Sequence, residues 1–186
     1  MRVVGGVYRG RRLASPRSDG VRPTADRARE ALFNVLEHAY PDSVKGARVL
    51  DLFAGTGALG LEAISRGASY CLFVEEAVSA RALIRENIMN LGLAGCTRIF
   101  RRDATRLGPI GNMAPFGLVF ADPPYGRGLS ERAIVSALSG GWLTEDALLM
   151  IEESADSPFN PPPGIVLEER RNYASSTIAF CRRLEP

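Results

Sequence analysis

Histidine and lysine are almost missing from this chain: among 186 residues there is one of each, His38 and Lys45. A lone histidine with no cysteine beside it is not a metal site, so no metal centre is expected. Cysteine is scarce too. Cys71, Cys96 and Cys181 are odd in number and far apart, which excludes a disulfide framework and a Cys-x-x-Cys zinc pattern. Small buried thiols in a reducing cytoplasm are the expectation. No apolar run approaches the ~20 residues that a membrane-crossing helix needs. Met1 to Gly6 lacks the apolar core of a secretory signal. Internal repeats and low-complexity tracts are also absent.

What is present is arginine, in 22 copies, unevenly spread. Residues 1–31 carry eight arginines against three acids, a net of +5, while the remainder carries −3. A basic arm on a mildly acidic body suits contact with a phosphate backbone. Residues 2–14 read as a small hairpin with arginines on its rim. Thr24 reads as the N-cap of a helix whose inward face is Ala28, Leu32, Val35, Leu36 and Ala39. From Ala47 the pattern alternates strand and helix. Strands are expected at 47–51, 70–74, 97–100, 116–121 and 148–151, with helices at 78–91 and 130–138. The inward face of the first of these helices reads as Ala80, Leu83, Ile84, Ile88 and Leu91. Ser130 is expected to cap the second. Two closing strands, 165–169 and 175–181, have no helix between them. Near-continuous apolar strands in β-α units predict an α/β fold with a mostly parallel sheet covered on both faces and an antiparallel edge.

The chain is organised around Val49-Leu50-Asp51-Leu52-Phe53-Ala54-Gly55-Thr56-Gly57-Ala58-Leu59-Gly60. A buried strand feeding a glycine turn and a helix N-terminus is how α/β proteins hold nucleotide-like ligands. Four successive strands finish on an acid: Asp51, Glu75, Asp103 and Asp122. Ligands in such sheets bind outside the carboxyl ends of the strands, so the four are expected along one rim. Glu75 lies where an acid accepts both hydroxyl hydrogens of a ribose. A nicotinamide dehydrogenase satisfies these facts as well. Asp122-Pro123-Pro124-Tyr125 does not fit it. Two prolines fix the backbone and remove two N–H donors. An aromatic ring beside rigid acceptors suits a flat heterocycle whose exocyclic amine donates to Asp122 and the Pro123 carbonyl.

Asp51-Leu52-Phe53-Ala54-Gly55-Thr56-Gly57 with Asp-Pro-Pro-Tyr at 122–125 resembles the class I S-adenosylmethionine-dependent amino-methyltransferases. Nearly the whole chain is similar to the RsmD-type bacterial enzymes that methylate N2 of a guanine in 16S ribosomal RNA. The Arg22-Pro23-Thr24 segment, Asp26-Arg27, Arg29-Glu30 and Leu32-Phe33-Asn34 carry that likeness, with Gly57 to Ala63 and Ser65 to Ala68. The resemblance implies a Rossmann-like class I methyltransferase with a seven-stranded sheet and a small N-terminal hairpin and helix extension. It implies an RNA-contacting segment at 1–40 and a methyltransferase domain at 41–186. Asp51, Phe53, Gly55 and Gly57 would surround the methionine half of S-adenosylmethionine. Glu75 would hold the ribose, and Asp103 with Ala104 the adenine. Asp122, Pro123, Pro124 and Tyr125 would hold the target guanine. Arg22, Pro23 and Thr24 would lie across the mouth of the site, and Arg2, Arg9, Arg11 and Arg12 would grip RNA phosphates. The partner implied is 16S ribosomal RNA in a partly assembled small subunit, met by a monomer, with S-adenosylhomocysteine as by-product. Asp-Pro-Pro-Tyr is shared with adenine-N6 methyltransferases. That reading stays open here, as does a noncatalytic nucleotide- or RNA-binding domain.

Overall fold

Short apolar runs punctuated by glycine turns build the order α1 (Pro23–Ala39), β1 (Arg48–Leu52), α2 (Ala58–Ser65), β2 (Tyr70–Val74) and α3 (Val78–Leu91). β3 (Thr97–Phe100), a 3₁₀ turn (Ala104–Arg106), β4 (Phe116–Ala121), α4 (Leu129–Ser139), β5 (Leu143–Ser154), β6 (Ile165–Asn172) and β7 (Ser176–Arg183) follow. This computed structural model describes residues 1–16, 23–124, 127–173 and 175–184. The seven strands form one sheet in the order β3-β2-β1-β4-β5-β7-β6. β1 to β5 pair in parallel, and β7 runs antiparallel between β5 and β6. The α/β class and the mostly parallel sheet with antiparallel pairing at one end are as expected. The winding reverses between β1 and β4, which opens a crevice at their carboxyl ends.

Alternate strand residues feed two cores. Val49, Phe73, Phe120 and Met150 pack with Phe33, Leu36, Leu61 and Ile84 of α1, α2 and α3. Leu50, Val74, Val119 and Ile151 pack with Ala133, Ile134 and Ala137 of α4 on the opposite face. Both faces being covered explains why the strands read as continuous apolar runs. Among the described residues no helix is long and apolar enough to cross a membrane.

Several local expectations need correction. The N-terminal hairpin holds one bridge, between Arg2 and Arg12, rather than two strands. Its anchor is Gly6, at φ 72, where any Cβ would strike the Ser65 carbonyl at the end of α2. α1 starts at Pro23, the first helical position that suits a residue without an N–H, so Thr24 is not its cap. Its inward face is also rotated: Ala28 and Ala39 are exposed, while Asp26 and Arg29 are buried with Leu32, Phe33 and Leu36. On α3 the buried set is Arg81, Ile84, Asn87, Ile88 and Leu91, and Ala80 and Leu83 are only half-buried. Ser130 lies within α4, buried, and donates to Glu153 Oε1 at 2.7 Å; Gly128 precedes the helix instead.

Charged residues are inside because they satisfy one another. The Glu62 carboxylate, fully buried, accepts from the Val4 amide at 2.9 Å and from Arg66 Nε at 2.8 Å. Arg29 Nε lies 3.5 Å from the same carboxylate, and Arg29 donates to Asp26 Oδ1 at 3.0 Å and to the Arg2 carbonyl. Arg66 Nη1 reaches Glu37 at 2.7 Å. This network ties the N-terminal turn, α1 and α2 together.

Candidate active site

The glycine turn is braced from beneath and from the side. Asp51, 2% exposed, lies under it and accepts from the Gly60 amide at 3.0 Å through Oδ2. Burial holds its pKa well above the usual carboxylate range; the Gly60 bond opposes this, and Asp122 and Glu75 add to it. A Cβ on Gly60 would collide with Cys71 Sγ and stand 2.5 Å from Phe73 Cε1, so α2 packs this closely on β2 only with glycine there. Glu75, at the end of β2, accepts from the Gly55 amide at 2.8 Å and from the Ala77 amide at 2.8 Å. Each Glu75 oxygen thus braces backbone and retains acceptor capacity.

A cleft of about 670 Å³ opens over the carboxyl ends of β1, β2 and β4. Phe53, Gly55, Glu75, Asp103, Ala104, Asp122, Pro123 and Pro124 all line it, with Thr105, Leu129 and Arg132. Three of the four expected acids therefore meet along one rim. Asp51 and Gly57 are set back from it, Asp51 because it is spent on the turn. Asp103 accepts from the Thr105 hydroxyl at 2.7 Å and the Thr105 amide at 2.8 Å. Those bonds, with Arg106 and Arg132 nearby, lower its pKa below the usual value despite some burial, so it is ionised.

Asp122 behaves in the opposite way. Its pKa is raised to about 7, first by desolvation and then by Glu152 and Glu153. The strand register, Ala121 beside Ile151, puts Glu152 next to Asp122. The residue stays exposed to the cleft, so water offsets part of the desolvation in the open site. The like charges act in the same direction, and the upward shift stands.

Asn87 is the site residue that the pattern reading missed. It is fully buried, accepts from the Ala14 amide at 2.6 Å, and donates to the Ala14 carbonyl at 3.2 Å and the Thr56 carbonyl at 3.1 Å. One side chain thus pins the end of the N-terminal arm to the glycine turn. The signal was a polar residue on the Ile84–Ile88–Leu91 stripe. Arg2, Arg9 and Arg12 line a second hollow, of about 680 Å³, between the arm and α1. Arg11 is turned elsewhere and donates to the Asn90 carbonyl at 2.8 Å. Arg22, Tyr125 and the side chains of Pro23 and Thr24 lie outside the described residues.

The chain is similar to known proteins over most of its length. The model of a family described as conserved hypothetical protein 95 matches residues 1–182. The ribosomal RNA small subunit methyltransferase D of Escherichia coli K12 is 42% identical over 166 residues, covering 88% of this chain and 79% of that protein. The Haemophilus influenzae protein of the same name is 34% identical over 164 residues, 87% of this chain and 83% of its own. The solved structure of Escherichia coli yhhF superposes with a TM-score of 0.84 at 34% identity, covering 100% of this chain and 99% of that one. By family model, sequence and fold alike, the chain belongs to the family of RsmD-type methyltransferases.

Proposed function

We propose that this protein transfers a methyl group from S-adenosylmethionine to N2 of a guanine in 16S ribosomal RNA. The observation that carries the reading is Asp122-Pro123-Pro124 at the end of β4, sharing one cleft with the Glu75-braced glycine turn. The relatives named for small-subunit ribosomal RNA support the substrate class.

The cleft suits the cofactor. A Cβ on Gly55 would meet only the Phe53 carbonyl oxygen, at 4.0 Å, so this cleft-lining turn leaves open space for a ligand to approach the backbone. Phe53 and Gly55 would flank the methionine half, with Gly57 and Asp51 shaping the turn behind them. Glu75 would accept the ribose hydroxyls, and Asp103 with Ala104 would hold the adenine. When bound, S-adenosylmethionine supplies an electrophilic methyl group on its sulfonium.

The protein's own task is to aim a poor nucleophile. The lone pair of an aryl amine is delocalised into its ring. Asp122 and the Pro123 carbonyl accept hydrogen bonds from its two N–H groups and localise that lone pair, while Tyr125 would stack on the base. Positioning and fixed dipoles supply most of such an acceleration. With its pKa held near 7, Asp122 can also take up the proton that the amine gives up. Residues 1–40 act as the RNA-contacting segment, with Arg2, Arg9, Arg12 and Arg22 on phosphates, and 41–186 as the methyl-transfer domain. Arg11 joins them only if it releases Asn90.

The test is nucleoside analysis of 16S ribosomal RNA after reaction with the protein and S-adenosylmethionine. N2-methylguanosine is the expected product. N6-methyladenosine in its place, or no methyl transfer, overturns the reading.

A further inference from the structure

The arm is fastened to the glycine turn through Asn87, on the face of the sheet that carries α1, α2 and α3. The other face brings its own positive charge to the cleft. Arg101 and Arg102 follow β3, Arg106 ends the 3₁₀ turn, and Arg127 and Arg132 stand just before and within the first turn of α4. All five are exposed. Arg102 and Arg132 line the cleft, and Arg106 and Arg132 are close enough to Asp103 to lower its pKa. Arg132 donates to the Thr105 hydroxyl at 3.4 Å, which joins α4 to the 3₁₀ turn.

Three observations separate this cluster from a solvated face. First, Arg29, Arg66, Arg171 and Arg182 are spent in ion pairs, whereas among the described residues none of these five is. Second, Arg102 is held in place: it donates to the Leu107 carbonyl at 2.6 Å and lies 4.7 Å over the Phe100 ring. Third, the charge is concentrated against the trend. Residues 101–106 and 127–132 carry five arginines against Asp103 and Glu131, a net of +3, in a body that outside the first 31 residues totals −3. One oxygen of Glu131 is engaged elsewhere, accepting from the Asn160 amide at 3.0 Å.

We infer that this rim, formed by Arg101, Arg102, Arg106, Arg127 and Arg132, is a second phosphate-binding surface, which holds the RNA strand leaving the cleft opposite the N-terminal arm. A base delivered into the cleft must have backbone running off on both sides of it. A strand gripped on one side only could swing, whereas contact on both sides fixes the base against Asp122. The inference rests on the RNA-methyltransferase reading and adds the second half of its substrate surface.

The experiment uses Arg101→Gln, Arg106→Gln and Arg127→Gln together in the full chain. None of the three lines the cleft or makes a side-chain hydrogen bond among the described residues. Binding of 16S ribosomal RNA and of a polyuridine strand is measured across a salt series. Each lost phosphate contact removes roughly 0.7 from the slope of log K against log salt on a single strand. The slope on both RNAs is expected to fall by about 2, and affinity for 16S ribosomal RNA to drop about tenfold or more at moderate salt. The corresponding triple lysine variant should keep the slope. An unchanged slope in the glutamine variant, or an equal loss in the lysine variant, overturns the surface. Failure of the wild-type protein to methylate RNA overturns the functional reading instead, and the two outcomes are read independently.

Discussion

At the residue scale the site turns on two aspartates that the cleft treats differently. Asp103 is held ionised by Thr105 and by arginines, whereas Asp122 is pushed up to about 7 by desolvation and by Glu152 and Glu153. The proposed role of Asp122 as an acceptor of amine hydrogens requires the carboxylate. The rate of methyl transfer should therefore rise with pH through about 7 and flatten above it, as one group loses its proton. Asp122→Asn should lose at least 100-fold in turnover at pH 8 while S-adenosylmethionine binding survives. A rate independent of pH between 5.5 and 8.5, measured by methyl incorporation, would contradict this. The linkage to stability has the opposite sign. A raised folded-state pKa means that Asp122 contributes stability at low pH that is lost as the pH rises from its ordinary value near 4 through about 7. Asp122→Asn should accordingly melt higher than wild type at pH 8, with the gap closing by pH 4. The cleft water that screens Asp122 keeps the gap to a few degrees at most.

At the scale of elements, the strands and the glycine turn were legible and the polar interior was not. Alternation and glycine spacing identify β1 to β4, because a strand buried on both faces has no choice but apolar residues. They also found the carboxyl-end acids, since chain direction follows from the β-α repeat. Helix faces were misread where charge replaces apolar contact. On α1 the alanines at 28 and 39 looked inward by hydropathy, yet Asp26 and Arg29 take that side because Arg29 pairs both with Asp26 and with Glu62 of α2. A partner 33 residues downstream leaves no periodic signal in either segment. Asp51 shows the same limit. Its position at the end of β1 suggested the rim, but the buried Gly60 amide claims it. Glu62 is the centre of this hidden layer. Removing its charge leaves two buried guanidinium groups and the Val4 amide with a weaker acceptor. Glu62→Gln should destabilise the fold by about 3 kcal/mol, within the range for breaking a buried pair. Urea unfolding reads the loss, and hydrogen exchange at Val4 should quicken beyond it as the arm loosens. An unfolding midpoint within error of wild type would show the network to be dispensable.

For the whole molecule, the sheet separates two packed cores and leaves its carboxyl edge as the place where elements of both faces line one cleft. The arm belongs to the first face in structure as well as in charge: Val3 and Leu13 are buried with Leu32 and Phe33, and Asn87 fastens Ala14 to Thr56 of the glycine turn. Arg9 and Arg12 therefore stand on a docked platform rather than a loose tail, and Arg2 is already drawn toward Asp26 at 3.7 Å. A docked arm loses little further freedom on binding, so its phosphate contacts should appear as affinity rather than be offset by ordering. Arg9→Gln with Arg12→Gln should lower the salt slope for single-stranded RNA by about 1.4, at roughly 0.7 per contact, and weaken binding several-fold at moderate salt. Arg11→Gln, whose guanidinium is engaged with Asn90, should change the slope less than either. S-adenosylmethionine affinity should not move in any of these variants, because the glycine turn is held by Asn87 and Glu75 and not by the arginines. Isothermal titration of the cofactor beside filter binding of the RNA separates the two ligands. A slope unchanged by the double substitution would remove the arm from the RNA surface and leave the opposite rim to hold the strand alone.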